Sequence, residues 1–204
     1  MAMIGLKYPV AAPIENYEYG KLPTVTPGTA FVIGKMIAAD KEVKFSNNPL
    51  YADDEKAEDA LIFEEGTLKI SVDHMELEAQ AKMFGHTYTA AADGGKTPEK
   101  IVKGGKDIAP YMAVGYYKTL YKNGKRSYEA TIIYKVKFAP PKESAKTKEK
   151  SISWGTYESD GTIEVLSGVA NDTYETTARF STEEAARKFI KDFFGITEGA
   201  EETV

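Results

Sequence analysis

The chain has 204 residues, 42% of them hydrophobic, enough to fill a real core, and its 17 glycines and 9 prolines are an ordinary share, so wholesale disorder and collagen-like or low-complexity classes are excluded. It has no cysteine, which removes a disulfide scaffold, a thiolate zinc site and a cysteine nucleophile together and leaves only His, Asp and Glu as metal ligands. The formal charge of −5 argues against a generic nucleic-acid coat, and it is concentrated: residues 53–65 hold seven carboxylates against one lysine.

Residues 1–28 carry four of the prolines, Pro9, Pro13, Pro23 and Pro27, among Tyr8, Tyr17 and Tyr19, with no clean period. They read as an extended N-terminal arm, either wrapped irregularly on its own domain or reaching a neighbour. No run approaches the roughly 20 apolar residues of a bilayer span, and residues 1–13 lack the pattern of a signal peptide, so the expectation is a protein made and kept in a cytoplasm.

From residue 29 the dominant period is two. Residues 30–37 form an apolar run suited to a buried strand, and in residues 66–72 Leu68, Ile70 and Val72 share one face. Between them, residues 46–65 start with Ser-Asn-Asn-Pro and run through the acidic stretch without alternation, which predicts a long loop. A short helix follows, with Asp73 and Glu76 at capping-box spacing, Leu77, Ala81 and Phe84 on one stripe, and Gly85 as its stop. A second loop is expected over residues 90–106.

The strongest signal is Tyr128, Ala130, Ile132, Tyr134, Val136 and Phe138 alternating with more polar neighbours, a strand with one apolar face. Residues 111–121 are also β-rich, and Asn123-Gly124 between the two is the pair that accepts a type I′ turn, so a long antiparallel hairpin spans residues 111–138. Further strands are expected at 151–157, 162–166 and 174–180. A final helix is capped by Ser181 with Glu184, buries Ala185, Phe189, Ile190 and Phe193, and ends at Gly195. Residues 196–204 read as a flexible tail. The expected organisation is an arm (1–28), a single mainly β domain with two helices (29–195), and that tail.

Motifs for chemistry are absent or broken. His74 and His86 are too far apart for a two-histidine metal pair on one helix turn, and capping or solvent contact explains both. Gly95-Lys96-Thr97 resembles the end of a phosphate loop, yet Ala90 stands where its first glycine should be and Pro98 interrupts the following helix, so it reads as a turn. The acidic run lacks the spacing and glycine of a calcium loop. Most of the 13 tyrosines, and Trp154, fit packing positions in strands. These residues point to a binding or structural role and go no further.

Several segments, taken in order, carry a resemblance: residues 4–10 (Ile-Gly-Leu-Lys-Tyr-Pro-Val), 50–54 (Leu-Tyr-Ala-Asp-Asp), 84–86 (Phe-Gly-His), 128–138, and the capped C-terminal helix. Together they resemble the phage major tail proteins of the phi13 type, tail tube subunits of long-tailed phages, over about residues 4–196. The resemblance implies an antiparallel β-sandwich or barrel-like tail tube fold. Its subunits form hexameric rings that stack into a hollow tube around the tape measure protein and conduct DNA to the host. It implies no enzymatic activity and no cofactor. The implied partners are other copies of the chain, the tape measure protein, the tail terminator and the distal tail or baseplate initiator. DNA would pass without tight binding, no membrane would be engaged, and the location would be the virion after assembly in the host cytoplasm.

On that resemblance the 111–138 hairpin is expected in the tube wall, pairing neighbours through its outward edge. The arm and the 46–65 loop supply the inter-subunit candidates: Tyr8, Tyr17, Tyr19, Leu50, Tyr51, Asp53, Asp54, Glu55, Ile62 and Phe63. The acidic loop has a second possible partner in a neighbour's residues 142–150, with Lys142, Lys146, Lys148 and Lys150 against Glu143 and Glu149. The competing class is a carbohydrate-binding or adhesin-like β-sandwich that stacks sugars on tyrosines. A small hydrolase with an unrecognised carboxylate pair ranks below both.

Overall fold

Alternating apolar residues become strands wherever one face can be buried, and the computed structural model, which describes residues 2–15, 18–52, 55–92, 94, 96–142 and 156–197, is mainly β. In chain order its elements are β1 (Ala2–Glu15), β2 (Thr24–Val25), β3 (Phe31–Val32), β4 (Met36–Ala52), β5 (Glu55–Val72), α1 (Leu77–Phe84), β6 (Thr87–Thr89), β7 (Lys100–Val102), β8 (Tyr111–Lys122), β9 (Lys125–Phe138), β10 (Tyr157–Ile163), β11 (Glu175–Phe180) and α2 (Glu183–Phe194). One antiparallel sheet runs β2-β1-β8-β9-β10-β5-β4, with β11 added to β9 and β3 to β1, while β6 and β7 pair separately.

The centre of this sheet is covered on both faces. On one, Ala11, Met112, Val114, Tyr116, Ile133 and Val136 meet Leu68, Ile70 and Val72 of β5 and the apolar residues of α1. On the other, Val10, Ala12, Ala113, Tyr117 and Ala130 meet Ala186, Ile190 and Phe194 of α2. Double burial is why β8 reads as a nearly continuous apolar run. It also explains Gly115: a Cβ there would fall 2.6 Å from a ring carbon of Phe194, so the close approach of helix to strand excludes any side chain.

The 111–138 hairpin forms as expected, and Asn123 and Gly124 take the positive φ values of 49° and 78° that its tight turn requires. Its single apolar face does not. Met112 pairs with Val136 but Val114 with Ile133, so β9 carries one extra residue and its faces exchange at that bulge. Ile132 and Tyr134 therefore point towards α2, where Tyr134 meets the Phe193 ring at 5.6 Å, whereas Val136 and Phe138 enter the other core.

Residues 2–15 are not an arm but a strand of the central sheet. Val10, Ala11 and Ala12 are wholly buried beside β8. The prolines disguise this, although Pro9 falls in a bulge, a position where the missing N–H is tolerated: between the Lys7–Tyr117 and Val10–Gly115 pairs, Tyr8 and Pro9 oppose one residue of β8, with Tyr8 at φ 61°.

The expected 46–65 loop is likewise a correction, since β4 and β5 pair from Met36 with Val72 out to Ala52 with Glu55. Residues 30–37 split instead of forming one strand. Gly34, at φ 154°, turns the chain where a Cβ would lie 2.1 Å from the His74 carbonyl, so only Phe31–Val32 and then Met36 onward are strand. The 90–106 loop contains β7, paired to β6.

Helix α1 starts later than the capping spacing suggests. Asp73 accepts hydrogen bonds from the Lys35 and His74 backbone N–H groups at 2.8 and 2.7 Å, and Glu76 precedes the first turn. At α2 the cap is Thr182, whose hydroxyl accepts from the Ala185 N–H at 3.2 Å, rather than Ser181. Gly85 and Gly195 end the helices in left-handed conformation as expected. Of the later strands, β10 ends at Ile163 and β11 occupies most of 174–180; Trp154 and residues 198–204 lie outside the described residues.

Candidate interaction surface

β10 pairs with β5 only from Val72 back to Gly66. Beyond that point residues 44–52 and 55–65 pair with each other alone, making a two-stranded ribbon of roughly 30 Å at about 3.3 Å per residue. Its root is fixed. Phe63 packs edge-on to Phe45 at 5.9 Å and against Tyr174 at 5.6 Å, and a Cβ at Gly66 would lie 2.8 Å from the Cβ of Ile163. Lys41 is ion-paired with Glu175, which ties β4 to the start of β11.

Over its described side chains, residues 44–47 and 60–65, the ribbon is mostly exposed. Phe45 is 50% exposed, Leu61 69% and Ile62 55%. Lone ribbons of this kind are marginal in water, and three large apolar side chains left open on one is an arrangement that a covering surface would stabilise.

The ribbon gathers Leu50, Tyr51, Glu55, Ile62 and Phe63 of the inter-subunit candidates, with Leu50 opposite Glu58, Tyr51 opposite Lys56 and Ala52 opposite Glu55. Tyr17, Asp53 and Asp54 lie outside the described residues. The other two are elsewhere. Tyr8 sits half-buried in the β1 bulge with the Arg187 guanidinium 4.6 Å from its ring centre. Tyr19 is exposed and lies over Gly168, where a Cβ would come within 2.6 Å of its ring. Phe45 and Leu61 were missed. The signal for Leu61 was available in the sequence, as Leu61-Ile62-Phe63 is an apolar triplet inside a charged run.

The 111–138 hairpin cannot supply the outward edge expected of it. β8 lies between β1 and β9, and β9 between β8 and the pair β10 and β11. Among the described residues, the strands paired on one side only include β4, which pairs with β5, the first residues of β1, which pair with β8, and β11, which pairs with β9. Lys142 bridges to Glu158 of its own chain, and residues 143–150 lie outside the described set.

The histidines occupy separate surroundings. The buried side chain of His86 meets the Asp107 carboxylate at 2.7 Å, and that carboxylate also accepts the Gly104 backbone N–H at 2.7 Å. The Gly104 N–H, followed by His86, holds the Asp107 carboxyl below the usual carboxylate range. His74 is exposed beside Glu76 and against the Tyr157 ring. Among the described residues no three His, Asp or Glu side chains converge as a metal site, and no helix is long and apolar enough to cross a membrane. Thr97 closes a turn onto Ala92 through paired backbone hydrogen bonds.

No protein-family model matches the chain, and no curated protein matches it either.

Proposed function

We propose that this protein is the repeating subunit of a phage tail tube, a structural virion protein that self-assembles as stacked rings around the tape measure protein. The observation that carries the reading is the β4–β5 ribbon, which leaves the sheet with Phe45, Leu61 and Ile62 exposed. A neighbouring copy that covers it accounts for its length and its apolar residues without an active site. The residue resemblance supplies the kind of assembly, including the hexameric ring, the tail terminator and baseplate initiator at its ends, and the passage of DNA.

Two kinds of contact are needed, one that closes a ring by rotation and one that repeats along the axis. The open edges of β4 and of the start of β1 suit the first, because unpaired N–H and C=O groups can continue a sheet into the next subunit. The ribbon suits the second. The role proposed is mechanical and requires neither a cofactor nor a catalytic group.

The register gives a clean test. Asn47 pairs with Leu61, so replacing residues 48–60 by Asn-Gly shortens the ribbon to a tight hairpin and leaves both cores untouched. Electron microscopy of the purified wild-type protein across concentration should show rings or hollow tubes. The shortened variant should keep the circular dichroism and unfolding midpoint of the wild type yet form no tubes. Normal tubes from the variant would refute the stacking role of the ribbon, and a wild-type protein that stays monomeric at every concentration would refute the tube reading.

A further inference from the structure

The ribbon has a counterpart at the opposite end of the molecule. β5 is antiparallel to β10, and β10 to β9, so β5 and β9 run the same way, and the Ala52–Glu55 pair of the ribbon shares one end of the sheet with the 123–124 turn. β8 starts at the other end, where Tyr111 pairs with Lys137. β6 and β7 follow α1 beyond the Val72 end of β5, and Ile108 lies against the end of that helix, where a Cβ on Gly85 would fall 2.2 Å from its carbonyl oxygen, so this surface sits away from the Ala52–Glu55 end of the ribbon.

That surface is apolar and basic. Val102 is exposed and Ile108 is 76% exposed, the latter just past a turn held by hydrogen bonds, with the Asp107 N–H donating to the Gly104 carbonyl and the Asp107 carboxylate bound to Gly104 and His86. An isoleucine presented next to a fixed turn costs less to dock than one on a loose loop, since less order has to be imposed. Residues 96–106 carry Lys96, Lys100, Lys103 and Lys106 against Glu99, and Glu99 already accepts the Tyr88 hydroxyl at 2.9 Å. The ribbon carries the complement, as its β5 strand from residue 55 to 65 holds five carboxylates to one lysine around Leu61 and Ile62.

We infer that the ribbon of one copy seats on the β6–β7 and Ile108 surface of the next, apolar residue to apolar residue, with carboxylates facing lysines. A contact between opposite ends of identical subunits does not close on itself, so it repeats along an axis. The inference rests on the tube reading and adds to it the surface that receives the ribbon.

The absence of cysteine makes the contact directly testable. Ile62→Cys and Ile108→Cys are at exposed positions, so both variants should fold. After treatment with a short bismaleimide, the double variant should give a ladder of covalent multimers on a denaturing gel, while each single variant gives at most dimers. Tubes visible by electron microscopy in the double variant with no ladder would overturn this contact and leave the tube reading standing. Protein that remains monomeric and gives no ladder would overturn both.

Discussion

Glu183 joins three elements through one carboxylate, accepting the Tyr117 hydroxyl of β8 and the Lys7 ammonium of β1 while it occupies the first turn of α2. The Tyr117 hydrogen bond, and then Lys7, hold its carboxyl below the ordinary glutamate range. Burial, reinforced by the same hydrogen bond, pushes the Tyr117 phenol well above its usual value, so that phenol stays a neutral donor. Because the carboxyl is depressed only in the folded chain, its contribution is complete above the unfolded pKa and is lost as pH falls through the folded one. The stability gap between wild type and Glu183→Gln should therefore be constant at pH values above the ordinary glutamate range and shrink as the pH falls below it, through the depressed pKa of the folded chain. Chemical denaturation at a series of pH values measures it. A gap that does not change with pH would mean that the carboxyl titrates alike in both states and that the Tyr117 and Lys7 contacts do not persist in solution.

The start of α2 shows how close neighbours compete for one structural task. Ser181 and Thr182 are both good caps, and Ser181 has Glu184 at capping-box spacing, but Phe180 is still paired with Tyr128 on β9 and packs its ring 5.5 Å from Phe189. The chain needs Ser181 to leave the strand, so the cap moves to Thr182. Thr182→Ala should cost about 1 kcal/mol, and Ser181→Ala should stay within about 0.5 kcal/mol. Equal losses in the two unfolding midpoints would show that the serine shares the cap. The same competition decides what the sequence reveals elsewhere. β8, β9 and β11 were legible because strong apolar patterns and an Asn-Gly turn mark them. β1 was hidden by two prolines, of which the sheet takes Pro9 at a bulge and pairs Pro13 with Met112, and the exchange of faces at Tyr134 was invisible because one inserted residue leaves the alternation of residue types unchanged. The outer ribbon gave no alternation, and where its side chains are described, at residues 44–47 and 60–65, they are mostly exposed, so nothing there selects one set of residues for a core. The candidate surface was thus legible as a segment, through its charge, its length and the apolar triplet at Leu61, while its conformation and the role of Phe45 depend on pairing between strands that no local pattern encodes.

At the scale of the whole molecule, charge separates what one copy offers from what an assembly would offer. The free chain carries −5 overall, yet it exposes lysines over residues 96–106 and a second basic group, Lys122, Lys125 and Arg126, at the β8–β9 turn. In the proposed tube, stacking by the ribbon would cover the first of these with carboxylates, and a ring of six copies of a −5 chain would carry −30, a field that repels phosphate. Assembly should therefore lower affinity for DNA, the reverse of what multivalency gives a basic protein. Fluorescence anisotropy of a labelled duplex should show weak binding by a Leu61→Ser, Ile62→Ser variant, which keeps the −5 charge but loses the apolar contact, in dilute salt, abolished by about 0.15 M salt where exposed charges are screened beyond roughly 8 Å. Wild-type tubes at equal subunit concentration should bind less than that variant at every salt concentration. Tubes that bind the duplex more tightly than the variant would show that the residue 96–106 surface is not covered in the assembly, and would place the seat of the ribbon elsewhere.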